Sequence, residues 1–377
     1  MKAAGTMCAF WLGLAAVGAA LQAEPDAGPP WPSERAQAWC DAHPLPAGCN
    51  YLPADAVNQL EMWQADTFDP VRIDRELGWA EGLGFNTVRV FLHNLAWSED
   101  PSGFLDRMDR FLALAQRHHI SVLFVIFDAV WNPLPHPGPQ PAPTPGVHNS
   151  QWVQSPGVIL LTNAAAQSGL EAYVKSVLGR FRDDGRVLGW DLFNEPDNDN
   201  ARSYPRQETP YKSEYSLILL RETFRWARAI GPSQPLTAGV WHGDWDLRAA
   251  SAVTRFELEH SDVISYHCYG PLPDMARRVA QLRPLGRPLW CTEYMARPLG
   301  STFATILPYL REQRIGAWCW GFVAGKSQTR YAWDTWATPA RGEPAPWFHD
   351  VLRPDGSPYD PREAALLRRL LLPAGGP

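Results

Sequence analysis

Past residue 54 or so, the chain alternates between two hydrophobic periodicities. Short runs rich in β-branched and aromatic residues read as buried strands: NTVRVFL (86–92), SVLFVIFD (121–128), VLGWDLFN (187–194), PLTAGVW (235–241), VISYHCY (263–269), PLWCTEY (288–294) and IGAWCWGFV (315–323). AVNQLEMW, within 55–63, is the expected first strand. Between these runs the apolar positions recur at helical spacing. Ile73, Leu77, Ala80 and Gly84 share one face behind an Asp69-Pro70 start signal, Leu105, Met108, Leu112 and Ala115 share another, and Leu170, Tyr173, Val174, Val177, Leu178 and Phe181 a third. Further helices are expected near 213–230, 273–282, 301–313 and 361–372, and the pattern is faintest between the fifth and sixth strands.

Eight strand-then-helix units in one chain predict an α/β fold, a (β/α)8 TIM barrel over 55–377. A doubly wound open sheet is the alternative, but it favours a Gly-rich turn after an early strand, and the chain has none there. The length of 377 residues suits one such barrel. One connection departs from the repeat. Residues 132–157, NPLPHPGPQPAPTPGVHNSQWVQSPG, are Pro-rich and lie between the third strand and its helix, so they are expected to form a stiff wall over the barrel mouth.

Composition narrows the partners. A formal net charge of −6 supplies no basic field for nucleic acid. The 18 Trp suggest stacking surfaces, with Trp63, Trp131, Trp152, Trp241 and Trp320 as candidates, although any single Trp more often packs in a core. The N-terminus carries one Lys, an apolar run too short to span a bilayer comfortably, and small residues before Glu24, which reads as a signal peptide over 1–23. A secreted or periplasmic protein follows, with no membrane association after cleavage. Residues 24–54 are expected to be an N-terminal extension in which Cys40 and Cys49 bracket a short loop and could close it as a disulfide, while Cys268, Cys291 and Cys319 look like buried thiols.

The candidate chemistry sits where strands end. In such barrels sites are assembled at the C-terminal ends of the strands, and there the fourth run delivers Asn194-Glu195-Pro196 and the seventh delivers Glu293. Paired carboxylates across a sugar-sized gap are what glycosidic bond cleavage requires: one holds a proton for the departing oxygen, and the other is ionised to attack or to activate water. Their repulsion pushes one pKa upward and keeps an acid available near neutral pH. Alternation places His267 and Tyr269 on one strand face, opposite Tyr266 and Cys268.

These residues, with Arg89 on the second strand, His267-Cys268-Tyr269 on the sixth and Trp320 on the eighth, resemble glycoside hydrolase clan A, family 5 most closely, over roughly 55–372. The resemblance implies a secreted retaining β-glycosidase acting on a β-linked polysaccharide or oligosaccharide by double displacement. It makes Glu195 the acid/base and Glu293 the nucleophile. It implies that Asn194 holds the sugar 2-hydroxyl, that Arg89 and Tyr269 orient and ionise Glu293, that His267 contacts substrate or acid/base, and that Trp320 is the floor under the sugar being cleaved; Trp241 is a further substrate-binding candidate. Arg89 could equally be a structural ion pair inside the barrel, and both readings can hold. The third strand ends in FDAVWN, where the family commonly has a His, so His93 after the second strand is the candidate for part of that role.

A carbohydrate substrate, no cofactor, no nucleic acid and a monomer are therefore expected. Two other classes compete. A barrel that only binds carbohydrate would be marked by loss of one carboxylate, and both are present. A metal-dependent hydrolase would favour HxH or HExxH spacing at a strand end, which the chain lacks.

Overall fold

The computed structural model describes residues 27–373; the expected signal segment, with Cys8, lies outside them. Eight strands form one sheet: β1 (Ala47–Asn50), β2 (Thr87–Phe91), β3 (Ser121–Asp128), β4 (Val187–Asn194), β5 (Leu236–Thr237), β6 (Ile264–His267), β7 (Leu289–Tyr294) and β8 (Gly316–Cys319). The hydrogen-bonded order is β5-β4-β3-β2-β1-β8-β7-β6, with every pairing parallel. A parallel bridge between Val240 and Tyr266 joins the two ends, so the sheet is a (β/α)8 barrel with a thin seam between β5 and β6.

Most elements fall where the periodicities place them, because the helices carry an apolar stripe and several of them a start signal as well. Asp69 accepts hydrogen bonds from the backbone N–H of Val71 and Arg72, Pro70 opens the helix Pro70–Gly82, and Ile73, Leu77 and Ala80 are buried; Gly84 lies just beyond, at φ +89°. The helices Pro101–Arg117, Gln167–Phe181, Lys212–Ile230, Leu272–Leu282, Phe303–Glu312 and Pro361–Leu371 match expectation closely. The faint one is Ala252–His260, capped by Ser251.

The first strand is a correction. Residues 55–63 do not form one: Asn58 accepts from the Glu61 N–H and starts the helix Gln59–Trp63. The true β1, AGCN, lies inside what the pattern assigns to the extension. It has no β-branched residue to announce it, and its glycine is required by contact: a Cβ on Gly48 would stand 1.8 Å from the Thr87 carbonyl oxygen of β2. The barrel therefore begins at residue 47, and the preceding helix Ser33–Ala42 lies against its base.

The same shift removes the expected disulfide. Cys40 and Cys49 are both free: Cys40 packs under the interior layer of Leu123, Leu188, Val263, Trp290 and Trp318, whereas Cys49 is buried in the main core between barrel and helices. Cys268, Cys291 and Cys319 are buried free thiols, as the sequence suggests. In that interior layer, small residues face the large ones. A Cβ on Gly189 would come 3.1 Å from the Trp290 ring and one on Gly316 2.8 Å, so two glycines make room for one indole.

The Pro-rich segment 132–157 does form a wall. Gln328, in the loop after β8, donates to the carbonyls of Thr144 (2.7 Å) and Val147 (2.9 Å) and accepts from the Gly146 N–H (3.0 Å), and His148 Nδ1 donates to the Tyr331 carbonyl (2.8 Å). Trp63 is not part of it; it is fully buried among Phe68, Phe104 and Phe111, with its indole N–H on the Phe91 carbonyl.

Two outcomes test this architecture. Gly48→Ala should destabilise the protein by at least about 1–3 kcal/mol, the usual cost of overpacking, in a denaturant titration. Cys40, Cys49, Cys268, Cys291 and Cys319 should all react with a thiol reagent once the chain is unfolded without reductant.

Candidate active site

At the upper end of the barrel the interior turns from apolar to charged. Arg89, from β2, has no exposure, and its guanidinium uses all five of its N–H donors. Two go to Asp191 Oδ2 (3.0 and 2.8 Å), and one each to Asn50 Oδ1 (2.8 Å), Asn194 Oδ1 (2.7 Å) and Glu293 Oε1 (2.8 Å). Thus β1, β2, β4 and β7 meet on one cation. Its neighbouring carboxylates raise the Arg89 pKa against the opposing effect of burial, so the charge is fixed.

Glu293 ends β7. Its other oxygen accepts from the Tyr269 hydroxyl at 2.6 Å. Burial raises its pKa, opposed by His267, by the Arg89 guanidinium and by the Tyr269 hydrogen bond. Glu195 stands across the mouth in different surroundings. Its backbone takes φ +44°, a conformation that turns the chain out of β4, and Pro196 then supplies no N–H to continue a ladder. Glu195 Oε1 lies 2.7 Å from His267 Nδ1, and Oε2 accepts from Asn198 at 2.8 Å. Burial pushes its pKa up to about 7, the Asn198 hydrogen bond and the more distant Arg89 opposing it only partly. His267 is itself held neutral, its pKa lowered to about 4 by burial, and its Nε2 has no hydrogen-bond partner, 3.6 Å from Glu293 Oε1.

An oxygen of Glu195 and one of Glu293 lie within 4.8 Å of each other. That is the close spacing of a retaining pair, well short of the gap of about 6.5–9.5 Å that leaves room for a water between acid and base. Glu195, His267 and Glu293 also present ligand atoms that could hold a cation, the one such group of three among the described residues. Arg89 argues against that use, since a guanidinium already occupies Glu293 Oε1.

The cavity above the pair measures about 610 Å³. Of the residues singled out in the sequence, Glu195, Glu293, Asn194, His267, Tyr269, Trp131, Trp152, Trp241 and Trp320 line it, and Arg89 lies directly beneath. Trp320 packs edge-on to Phe91 (5.8 Å) and Trp152 (5.7 Å). Trp241 is aimed by Asp197, which accepts its indole N–H at 2.8 Å. His93 is a correction: it is fully buried, its Nδ1 accepts from the Leu95 N–H to cap the helix Asn94–Glu99, and its Nε2 donates to the Gln154 carbonyl at 2.9 Å. Burial lowers its pKa to about 3, so it is a neutral structural imidazole outside the cavity.

The position His93 was expected to serve is filled by Asp128. At the end of β3 it accepts from Asn194 Nδ2 (2.9 Å), Trp152 Nε1 (2.6 Å) and Gln59 Nε2 (3.0 Å), and burial raises its pKa to about 7. It thereby fixes both the Asn194 amide and the Trp152 indole. Asn50, Asp191 and Asn198 were missed as well. Asp191 has a readable signal, a lone charge inside the apolar run VLGWDLFN; Asn50 has none, since its strand is itself hidden.

No family model matches this sequence, and no curated protein matches it. Solved structures do. The GH5_18 protein of Streptomyces cattleya in complex with Manβ1-4GlcNAc superposes with a TM-score of 0.56 at 14% identity, over 88% of this chain and 82% of that one. An exo-β-1,4-mannosidase from Opitutaceae bacterium strain TAV5 gives 0.56 at 20%, over 87% and 60%, and the endo-1,4-β-mannanase of Rhizomucor miehei 0.50 at 15%, over 74% and 90%. The fold is that of these glycoside hydrolases.

Removing the central cation tests the network. Arg89→Met leaves Asp191 and Glu293 buried without their counter-charge, so unfolding free energy should fall by about 3–5 kcal/mol in a denaturant titration. A loss below about 1 kcal/mol would mean that the guanidinium does not hold the site together.

Proposed function

We propose that the protein is a retaining β-glycosidase of the glycoside hydrolase family 5 type. The observation that carries this reading is the pair of buried carboxylates in unlike surroundings: Glu195 with a pKa near 7, beside a neutral imidazole and an amide, and Glu293 between a guanidinium and a phenol. In the first step a Glu293 oxygen attacks the anomeric carbon while Glu195 gives its proton to the glycosidic oxygen, and the alcohol departs. In the second, Glu195, now a carboxylate, takes a proton from water as that water displaces Glu293 and regenerates the enzyme. Arg89 and Tyr269 favour the charged form of Glu293 that must be restored, and His267 holds Glu195 in line. Asn194, fixed by Arg89 and Asp128, presents its remaining N–H toward the sugar 2-hydroxyl, and Trp320 supplies an apolar floor.

β-Mannosides are the first substrates to try, because two of the solved relatives are named for activity on them. In this reading the protein acts after export to the periplasm or the medium, on the strength of its apolar N-terminal run.

The two glutamates separate in their variants. Glu293→Ala should be nearly inactive on every substrate. Glu195→Ala should lose roughly 10²- to 10⁴-fold on substrates with alcohol leaving groups, yet still form the glycosyl-enzyme from an activated aryl glycoside, and added azide should restart turnover to give a β-glycosyl azide. An inverted anomer as the first product of the unmodified enzyme, seen by NMR, would sink the proposal.

The pH profile has its own signature. The acid must be protonated and the nucleophile ionised, so kcat/KM should fall as pH rises through about 7, set by Glu195, and fall again on the acid side at a pH above the ordinary carboxylate range, set by Glu293. Glu195→Gln should abolish the alkaline limb for an activated aryl glycoside.

A further inference from the structure

The rim of the cavity is uneven. The loops after β3 and β8 meet over β2 and β1, the two strands that lie between them in the sheet. Gln328 clasps Thr144, Gly146 and Val147, the Asn149 N–H donates to the Ser327 carbonyl (2.9 Å), and the His148 N–H donates to Thr335 Oγ1 (3.0 Å). Contact is tight enough to require glycine at Gly146, where a Cβ would stand 2.2 Å from the Ala340 carbonyl oxygen and φ is +76°. The stacked pair Trp131 and Trp336 (5.1 Å) extends the join to Tyr204, in the loop after β4. From β8 round to the Tyr204 contact the mouth is walled, and the exposed residues of its lining, Asp199, Ala201, Arg202 and Arg277, belong to the loop after β4 and the helix after β6.

The wall carries an unsatisfied group. Asn149 lines the cavity and is almost fully buried, and neither its amide N–H nor its amide oxygen has a hydrogen-bond partner. Each such atom costs about 1–3 kcal/mol unless a ligand completes it. Beside it, His148 donates its Nδ1–H to the Tyr331 carbonyl, which leaves Nε2 as a bare acceptor.

We propose that the walled side is the glycone side and that it ends after the reacting sugar, so the enzyme takes chains only by their non-reducing end, with Asn149 reading a hydroxyl of that terminal sugar. This rests on the retaining β-glycosidase reading. The reacting sugar lies over Trp320, and Trp320 is packed against Trp152 and Phe91 on the walled side. The leaving group must therefore lie on the open side, near Trp241 and Asn198. A longer glycone would have to pass through the clasp.

The test uses β-1,4-mannopentaose and cellopentaose, each free or with a bulky acetal blocking the 4- and 6-hydroxyls of the non-reducing end, and a p-nitrophenyl β-glycoside in parallel. The expected result is stepwise release of monosaccharide from the free chains, with the blocked chains slowed at least about 100-fold, a steric exclusion larger than one methylene group provides. Internal fragments, or blocked chains cleaved as fast as free ones while the aryl glycoside is also cleaved, would overturn the inference and leave the glycosidase reading standing. No cleavage of any of them would sink both. Asn149→Gly removes no side-chain hydrogen bond and suits the φ of +44° at this position, so its melting temperature should hold while KM for the free pentasaccharide rises at least about 5-fold, the loss of one hydrogen bond of about 1 kcal/mol; an unchanged KM would take Asn149 out of the site. Gln328→Ala should loosen the clasp and let blocked chains be cleaved internally.

Discussion

A guanidinium with no access to water sits at the centre of this protein. Arg89 is affordable only because every one of its N–H groups is met by a side-chain oxygen, and the oxygens come from three strands other than its own. The requirement runs in both directions. Asp191 and Glu293 could not stay buried without the cation, and the cation could not stay buried without them. Register among β1, β2, β4 and β7 is thus fixed at the mouth by charge, while lower in the barrel it is fixed by the packing of Trp290 and Trp318 against glycines.

From that centre the two glutamates acquire different characters. Glu293 touches the cation, whereas Glu195 feels it only at a distance, through the field. A barrel offers many strand ends, but few where one carboxylate is tied to a buried positive charge and its neighbour is left among an amide and a neutral imidazole. Asp128 extends the arrangement outward, since the same carboxylate that steadies Asn194 also steadies Trp152 and, through its edge contact, the face of Trp320.

Much of this was legible in the chain. Strands such as VLGWDLFN announce themselves by β-branched and aromatic density, and the residues at their ends inherit a position from the fold alone. What stayed hidden has a common cause. The first strand, AGCN, lacks large residues because β2 passes too close for them, so close packing erased the hydrophobic signal by which strands are read. Asn50 was lost with it, and the disulfide was expected from a spacing whose two ends in fact face different layers. His93 misled because a strand-end histidine near a site reads the same in sequence whether it faces substrate or caps the next helix.

The short strand β5 gives the barrel a mechanical asymmetry. It pairs with β4 through Trp190–Leu236 and Asp191–Thr237 only, and toward β6 it has one backbone bridge, at Val240, and otherwise leans on bonds to Asp262 and between Thr237 and Ser265, while β3 and β4 are zipped along nearly their full length. Local opening is least costly where ladder hydrogen bonds are fewest. The compliant seam lies under the open side of the cavity, and the stiff staves lie under the walled side. In the proposed orientation the densely paired strands thus lie under the reacting sugar and the sparsely paired ones under the departing product.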